Sequence, residues 1–121
     1  MNEKYNAIKD KSLKFAVRIV RLYKYLCDDK KEFVMSKQLL RSGTAIGALY
    51  REAEHSESDA DFIHKMAIAQ KECNETFYWL ELLKLTDYIT NNEFENINND
   101  AVELMKLITS IIKTVKLRIN H

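Results

Sequence analysis

Leu39-Leu40-Arg41-Ser42-Gly43-Thr44-Ala45-Ile46-Gly47-Ala48-Leu49-Tyr50-Arg51-Glu52-Ala53 holds the only two glycines of a 121-residue chain that has no proline. On a helical wheel Leu39, Gly43, Ile46, Tyr50 and Ala53 share one face, and Gly47 borders it. A glycine inside a helix costs about 1 kcal/mol relative to alanine. Gly43 and Gly47 are therefore retained against a penalty of about 2 kcal/mol, and close approach of a neighbouring helix is the gain that offsets it. The opposite side carries Thr44, Ala45 and Ala48, with Arg41 and Glu52 set among them. Such a helix sits deep, with neighbours close on several sides. The Gly-x-x-x-Gly spacing resembles membrane helix contacts only by analogy, because the segment is charged and too poor in apolar residues to span a bilayer.

The rest of the composition agrees with an all-α chain. Charged residues make up 31% of it, and one domain over residues 1–121 is long enough to bury a core. Apolar runs are too short for a transmembrane helix, and Met1 to Tyr5 offer no apolar signal region, so a cytoplasmic location with no membrane contact is expected. Cys27 and Cys73 lie in helical segments without metal-ligand spacing. Reduced, packed thiols suit them better than a disulfide. Net charge is +1, but residues 1–51 carry 12 Lys and Arg against 5 Asp and Glu, a net +7, while residues 52–121 carry 7 against 13, a net −6. That polarity suits an anionic partner or the matching of one subunit to the next.

Four helices follow from the periodicity. The first runs from about Asp10 to Asp29. Its apolar residues cover more than half the circumference, which predicts one apolar contact inside the subunit and another outside it. The second spans about Ser36 to His55, with Ser36 as N-cap. Ser58 with Asp61 resembles a capping box opening the third, from about Asp59 to Asp87. Phe62, Met66, Ala69, Cys73, Thr76, Leu80 and Leu83 form its seam. Thr90 with Glu93 is a cleaner box that opens a short turn before the last helix, from about Asn98 to Ile119. There Ala101, Leu104, Ile108, Ile111 and Val115 form a seam, widened by Met105, Ile112 and Ile119. Long helices with short connections predict an antiparallel, up-down-up-down four-helix bundle.

The ordered set Ser36-x-Gln38-Leu39-x-Arg41-Ser42-x-Thr44-x-Ile46-Gly47-Ala48, then Glu52-Ala53, resembles the 23S rRNA intervening sequence protein family. So do Asp61-Phe62-Ile63-x-Lys65-Met66-x-Ile68-Ala69-x-Lys71-Glu72-x-x-Glu75-Thr76-x-Tyr78-Trp79-Leu80 and the ending Leu107 to Thr114. The resemblance implies a bacterial, cytosolic bundle that assembles as a ring-like homopentamer, with no catalytic residues and no cofactor. It also implies kinship with the accessory variability protein of diversity-generating retroelements, a pentamer that binds nucleic acid and a reverse transcriptase. Family members often have Asn-Ile where this chain has Leu49-Tyr50, so the polar contact of that amide is not available here.

Lys11, Lys14, Arg18, Arg21 and Lys24 form a basic stripe along helix one, and this is the candidate surface for RNA or DNA. An oligomer would repeat the stripe and multiply weak phosphate contacts. Arg41 and Glu52 stand about 16 Å apart along one helix and cannot pair. Glu72 and Glu75, one turn apart on helix three, are the candidate partners of Arg41. With Gly43, Gly47, Glu52 and Trp79, these residues are expected to serve packing and assembly rather than acid–base chemistry. Glu52 with His55, and Asp61 with His64, loosely match a di-metal motif. Both flank one turn at a bundle end, which favours a surface cluster over a metal centre. No nucleophile has an adjacent base, and no phosphate-binding glycine loop occurs. Two readings follow: a non-enzymatic oligomeric module acting on RNA or DNA, alone or with a protein partner, and a structural or protein-interaction scaffold without nucleic-acid binding.

Overall fold

The computed structural model describes residues 3–120; Met1 and Asn2, part of the N-terminus read above, lie outside the described residues. Four helices occur in the order α1 (Glu3–Asp28), α2 (Met35–Ala53), α3 (Asp59–Leu85) and α4 (Asn91–Ile119). Each packs on its neighbours in the cycle α1–α2–α3–α4–α1, and the α4–α1 seam is the most open of the four. The predicted up-down-up-down arrangement is thus what the described residues adopt. The seam residues of α3 are buried except Phe62, which is half-buried, and the five seam residues of α4 are all buried. Ile119 is an exception to the predicted widening, because it stands 46% exposed near the end of α4.

α2 buries 7 of its 19 residues, a larger share than α1, which buries 5 of 26. Its two glycines explain how. A Cβ added at Gly43 would stand 2.8 Å from Cγ1 of Ile19, and one added at Gly47 would stand 3.1 Å from the Ser12 hydroxyl. Both glycines therefore face α1, and their bare backbone lets the two helices close together. Having placed its glycines there, the chain ends two helices without them. Lys31 and Asp87 take left-handed conformations, with φ of 55° and 67°. The Glu32 and Tyr88 amides then donate back to the Leu26 and Leu83 carbonyls.

Helix starts show where sequence reading and structure part. Ser36 is not the N-cap of α2; that helix begins at Met35 after Val34, whose side chain makes no capping bond, and the Glu32 carboxylate serves instead. The Glu32 carboxylate accepts from the amides of Val34 (3.1 Å), Met35 (3.1 Å) and Ser36 (2.7 Å), while the Ser36 hydroxyl donates to the Glu32 carbonyl. Ser58 does cap α3, accepting from the Asp61 amide, but Asp61 turns its own carboxylate to the Glu57 amide instead of closing the box. The Thr90–Glu93 box is complete and opens α4 itself at Asn91 rather than a separate turn before Asn98. Phe94 and Ile97 extend the apolar period backwards through the asparagine-rich stretch. α1 likewise begins earlier than Asp10, at Glu3.

Two outcomes follow from this packing. Gly43→Ala sets overpacking against Ile19 against a gain in helix propensity, for a net loss of about 1 kcal/mol, or roughly 4 °C in Tm. Gly47→Ala, facing a hydroxyl that can shift, changes stability by less than about 0.5 kcal/mol. Thermal denaturation of both variants checks this, and a stabilised Gly43→Ala would mean that Ile19 does not limit the approach. The second outcome concerns pH. Burial pushes the Glu32 carboxyl up, but the amides of Ser36, Met35 and Val34, with the Ser36 hydroxyl, outweigh it and hold the group below its ordinary 4.5. A lowered folded value means that its contribution is full above pH 4.5 and is lost as pH falls through the lowered value. Urea titrations of Glu32→Gln should therefore show a deficit of about 1–2 kcal/mol at neutral pH that narrows in acid.

Candidate functional site

The basic stripe of α1 does not stand free. Lys11 pairs with Glu103 of α4, Lys14 pairs with Asp10 one turn earlier, and Arg18 pairs with Asp100 of α4. The second guanidinium nitrogen of Arg18 also donates to the Asn96 side-chain oxygen at 2.6 Å. Glu103 raises the pKa of Lys11, first through their hydrogen bond and then through its charge. Arg21 and Lys24 are exposed and make no ion pair among the described residues. Beside them a cleft of about 470 Å³ opens between α1 and α4, lined by Arg18, Arg21, Leu22, Asn92, Asn96 and Ile97. Three of the five stripe residues thus fasten α1 to α4 or to its own helix, and Arg21 with Lys24 remain as unneutralised charge.

Across the bundle, Arg41 finds the partners expected of it. Its guanidinium bridges the two Glu72 oxygens at 3.2 and 3.3 Å, and it also pairs with Glu75. Glu75 in turn accepts from the Trp79 indole at 3.0 Å. The indole N–H is the first cause that holds the Glu75 carboxyl below the usual range; burial opposes it, and Arg41 adds to it. Gln38 completes the cluster with a long contact to Arg41 at 3.5 Å. Glu52 is exposed and does not join this network. Beneath it, the buried Thr76 hydroxyl donates to Ser42 at 3.0 Å, a polar tie between α2 and α3 inside the apolar core.

Neither cysteine is bonded to the other, and burial pushes the Cys73 thiol up to about 12. Among the described residues no group of three or more His, Cys, Asp or Glu is placed to hold a metal ion. His55 and His64 are both exposed. No helix is long and apolar enough to cross a membrane among the described residues.

Sequence reasoning expected an outer apolar contact on α1 and missed the one on α3. Leu13 and Val17 stand 53% and 41% exposed on α1. A shallow groove of about 260 Å³ lies beside Leu13, lined also by Ala16 of α1 and by Thr44, Gly47 and Ala48 of α2. On α3, Tyr78 and Leu85 are 57% and 68% exposed. The broad apolar arc of α1 pointed to an outer contact. The run Phe77-Tyr78-Trp79-Leu80-Glu81-Leu82-Leu83 was the corresponding signal in α3.

Residues 4–110 match the family model described as 23S rRNA-intervening sequence protein. A solved structure from Bacteroides thetaiotaomicron, described as a protein of unknown function from the S23 ribosomal protein family, is 65% identical to this chain. It aligns with a TM-score of 0.90 over 91% of this chain and 98% of that one. No curated protein matches the chain.

Proposed function

The chain belongs to the 23S rRNA-intervening sequence protein family, and from that premise we propose that it is a non-enzymatic, cytosolic scaffold that assembles with copies of itself into a ring-like homopentamer. The observation that carries this reading is the pair of uncovered apolar faces, Leu13 with Val17 on α1 and Tyr78 with Leu85 on α3. Two different patches on one subunit make a head-to-tail contact, and such contacts close into rings when the rotation allows. Five copies is the number that the family resemblance implies. The absence of catalysis is supported by how the candidate groups are occupied: Arg41 and Trp79 hold Glu72 and Glu75, and Cys73 is buried as a thiol.

Light scattering coupled to size exclusion tests the assembly. The wild-type chain should elute with the mass of several copies, and Leu13→Glu with Val17→Glu should elute as a smaller species with unchanged helical circular dichroism. A wild-type mass of one copy at micromolar concentration would sink the proposal.

Binding of RNA or DNA is the second reading, and Arg21 is the observation that favours it. It lies exposed without an ion pair among the described residues, one turn from Lys24 and beside Arg18 in the α1–α4 cleft. A ring would present that cation once per subunit. Titration with a single-stranded and a double-stranded oligonucleotide at two salt concentrations tests it. Binding should weaken as salt rises, and Arg21→Glu with Lys24→Glu should abolish it. Absence of any complex at low salt, or binding indifferent to the double variant, counts against nucleic acid at this face.

A further inference from the structure

One end of the bundle carries a cleft of about 650 Å³, where the start of α1, the end of α2, the start of α3 and the end of α4 meet. That volume lies within the range of small-molecule sites. Three aromatic rings line part of it: Tyr5 and Phe62 stack in a tilted pair with ring centroids 5.8 Å apart, and Tyr50, almost wholly buried, faces the same space. Polar groups converge there too. Ser56, on the α2–α3 connection, carries the one buried side-chain oxygen among the described residues that has no hydrogen-bond partner. An unpaired buried hydroxyl is costly, and a ligand or water that reaches it recovers that loss.

Charge narrows the class of ligand. The lysine and the arginine in the cleft are already engaged, Lys9 with Glu54 at 3.1 Å and Arg118 with Asp59 at 2.8 Å, and His55 also lines it. Glu57 adds a third carboxylate to the lining. Three carboxylates against two paired cations and one histidine disfavour an anion, and a ligand that needs Lys9 or Arg118 as its counter-charge would have to break an ion pair. A flat, uncharged ring with its own donors and acceptors meets neither obstacle. It would lie against the Tyr5 and Phe62 rings and reach the hydroxyls of Ser56 and Tyr50.

We propose that this cleft between the helix ends is a binding site for an uncharged heteroaromatic molecule of about nucleoside size, held on the Tyr5 and Phe62 rings and by the Ser56 hydroxyl. The site does not rest on the assembly reading, since neither Leu13 and Val17 nor Tyr78 and Leu85 line it.

The probes are adenosine, uridine and adenosine monophosphate, each titrated into isotope-labelled full-length chain and followed by amide chemical shifts. At least one nucleoside should give saturable shifts in residues 50–62, and adenosine monophosphate should bind more weakly than adenosine. Tyr5→Leu, which keeps the apolar surface but removes the ring, should weaken binding about tenfold. Ser56→Val should weaken it as well, and both variants are to be checked for an unchanged Tm. No saturable shift with either nucleoside overturns the proposal. So does binding that both variants leave intact, or monophosphate that binds as tightly as adenosine.

Discussion

The contact that everything else depends on is the approach of α2 to α1. Ile19 occupies the space that a side chain at residue 43 would fill, and Ser12 lies against residue 47. Those two contacts, one helical turn apart, fix the rotation of α1 about its axis as well as its distance. Ile8, Phe15, Ile19 and Leu26 then point inward. Lys11 and Arg18 fall on the side of α4, and Leu13 with Val17 face away from the bundle. A larger residue at position 43 would move all three sides of α1 together, because a rigid helix cannot rotate one of its faces alone.

Much of this was legible in the sequence because helical period is a strong signal. Met66, Ala69, Cys73, Thr76, Leu80 and Leu83 recur at three and four and are all buried, and the glycines announced a close contact before any partner was known. What was not legible depended on geometry between segments. Ser36 reads as a cap by type, but Glu32 reaches three amides from outside the helix, and a glutamate in a run of charged residues carries no mark of that role. The start of α4 was hidden by asparagines at 91, 92, 96, 98 and 99, whose low propensity the capping box and the buried Ile97 override. The basic stripe of α1 is regular in sequence, yet its chemistry changes once Glu103 and Asp100 arrive from about 80 to 90 residues away along the chain.

Electrostatics in this molecule thus serve construction first. Arg41, Glu72, Glu75 and Trp79 tie α2 to α3, while Arg118 and Asp59 tie α4 to α3 at the open end of the bundle. Each of these pairs is partly exposed, where a single ion pair is worth at most about 1 kcal/mol. Their value lies in selecting one register of the helices from several that a uniformly apolar seam would tolerate.

The four seams are not equal, and the difference has a mechanical meaning. α1 meets α2 through backbone-close contact, but it meets α4 through the most open seam, bridged by Lys4 to Ser110, Lys11 to Glu103 and Arg18 to Asp100. Mobile ions weaken exposed charge pairs and leave buried methyl groups untouched. Rising ionic strength therefore bears hardest on this edge of the cylinder, where the least helix-to-helix packing stands behind the ion pairs.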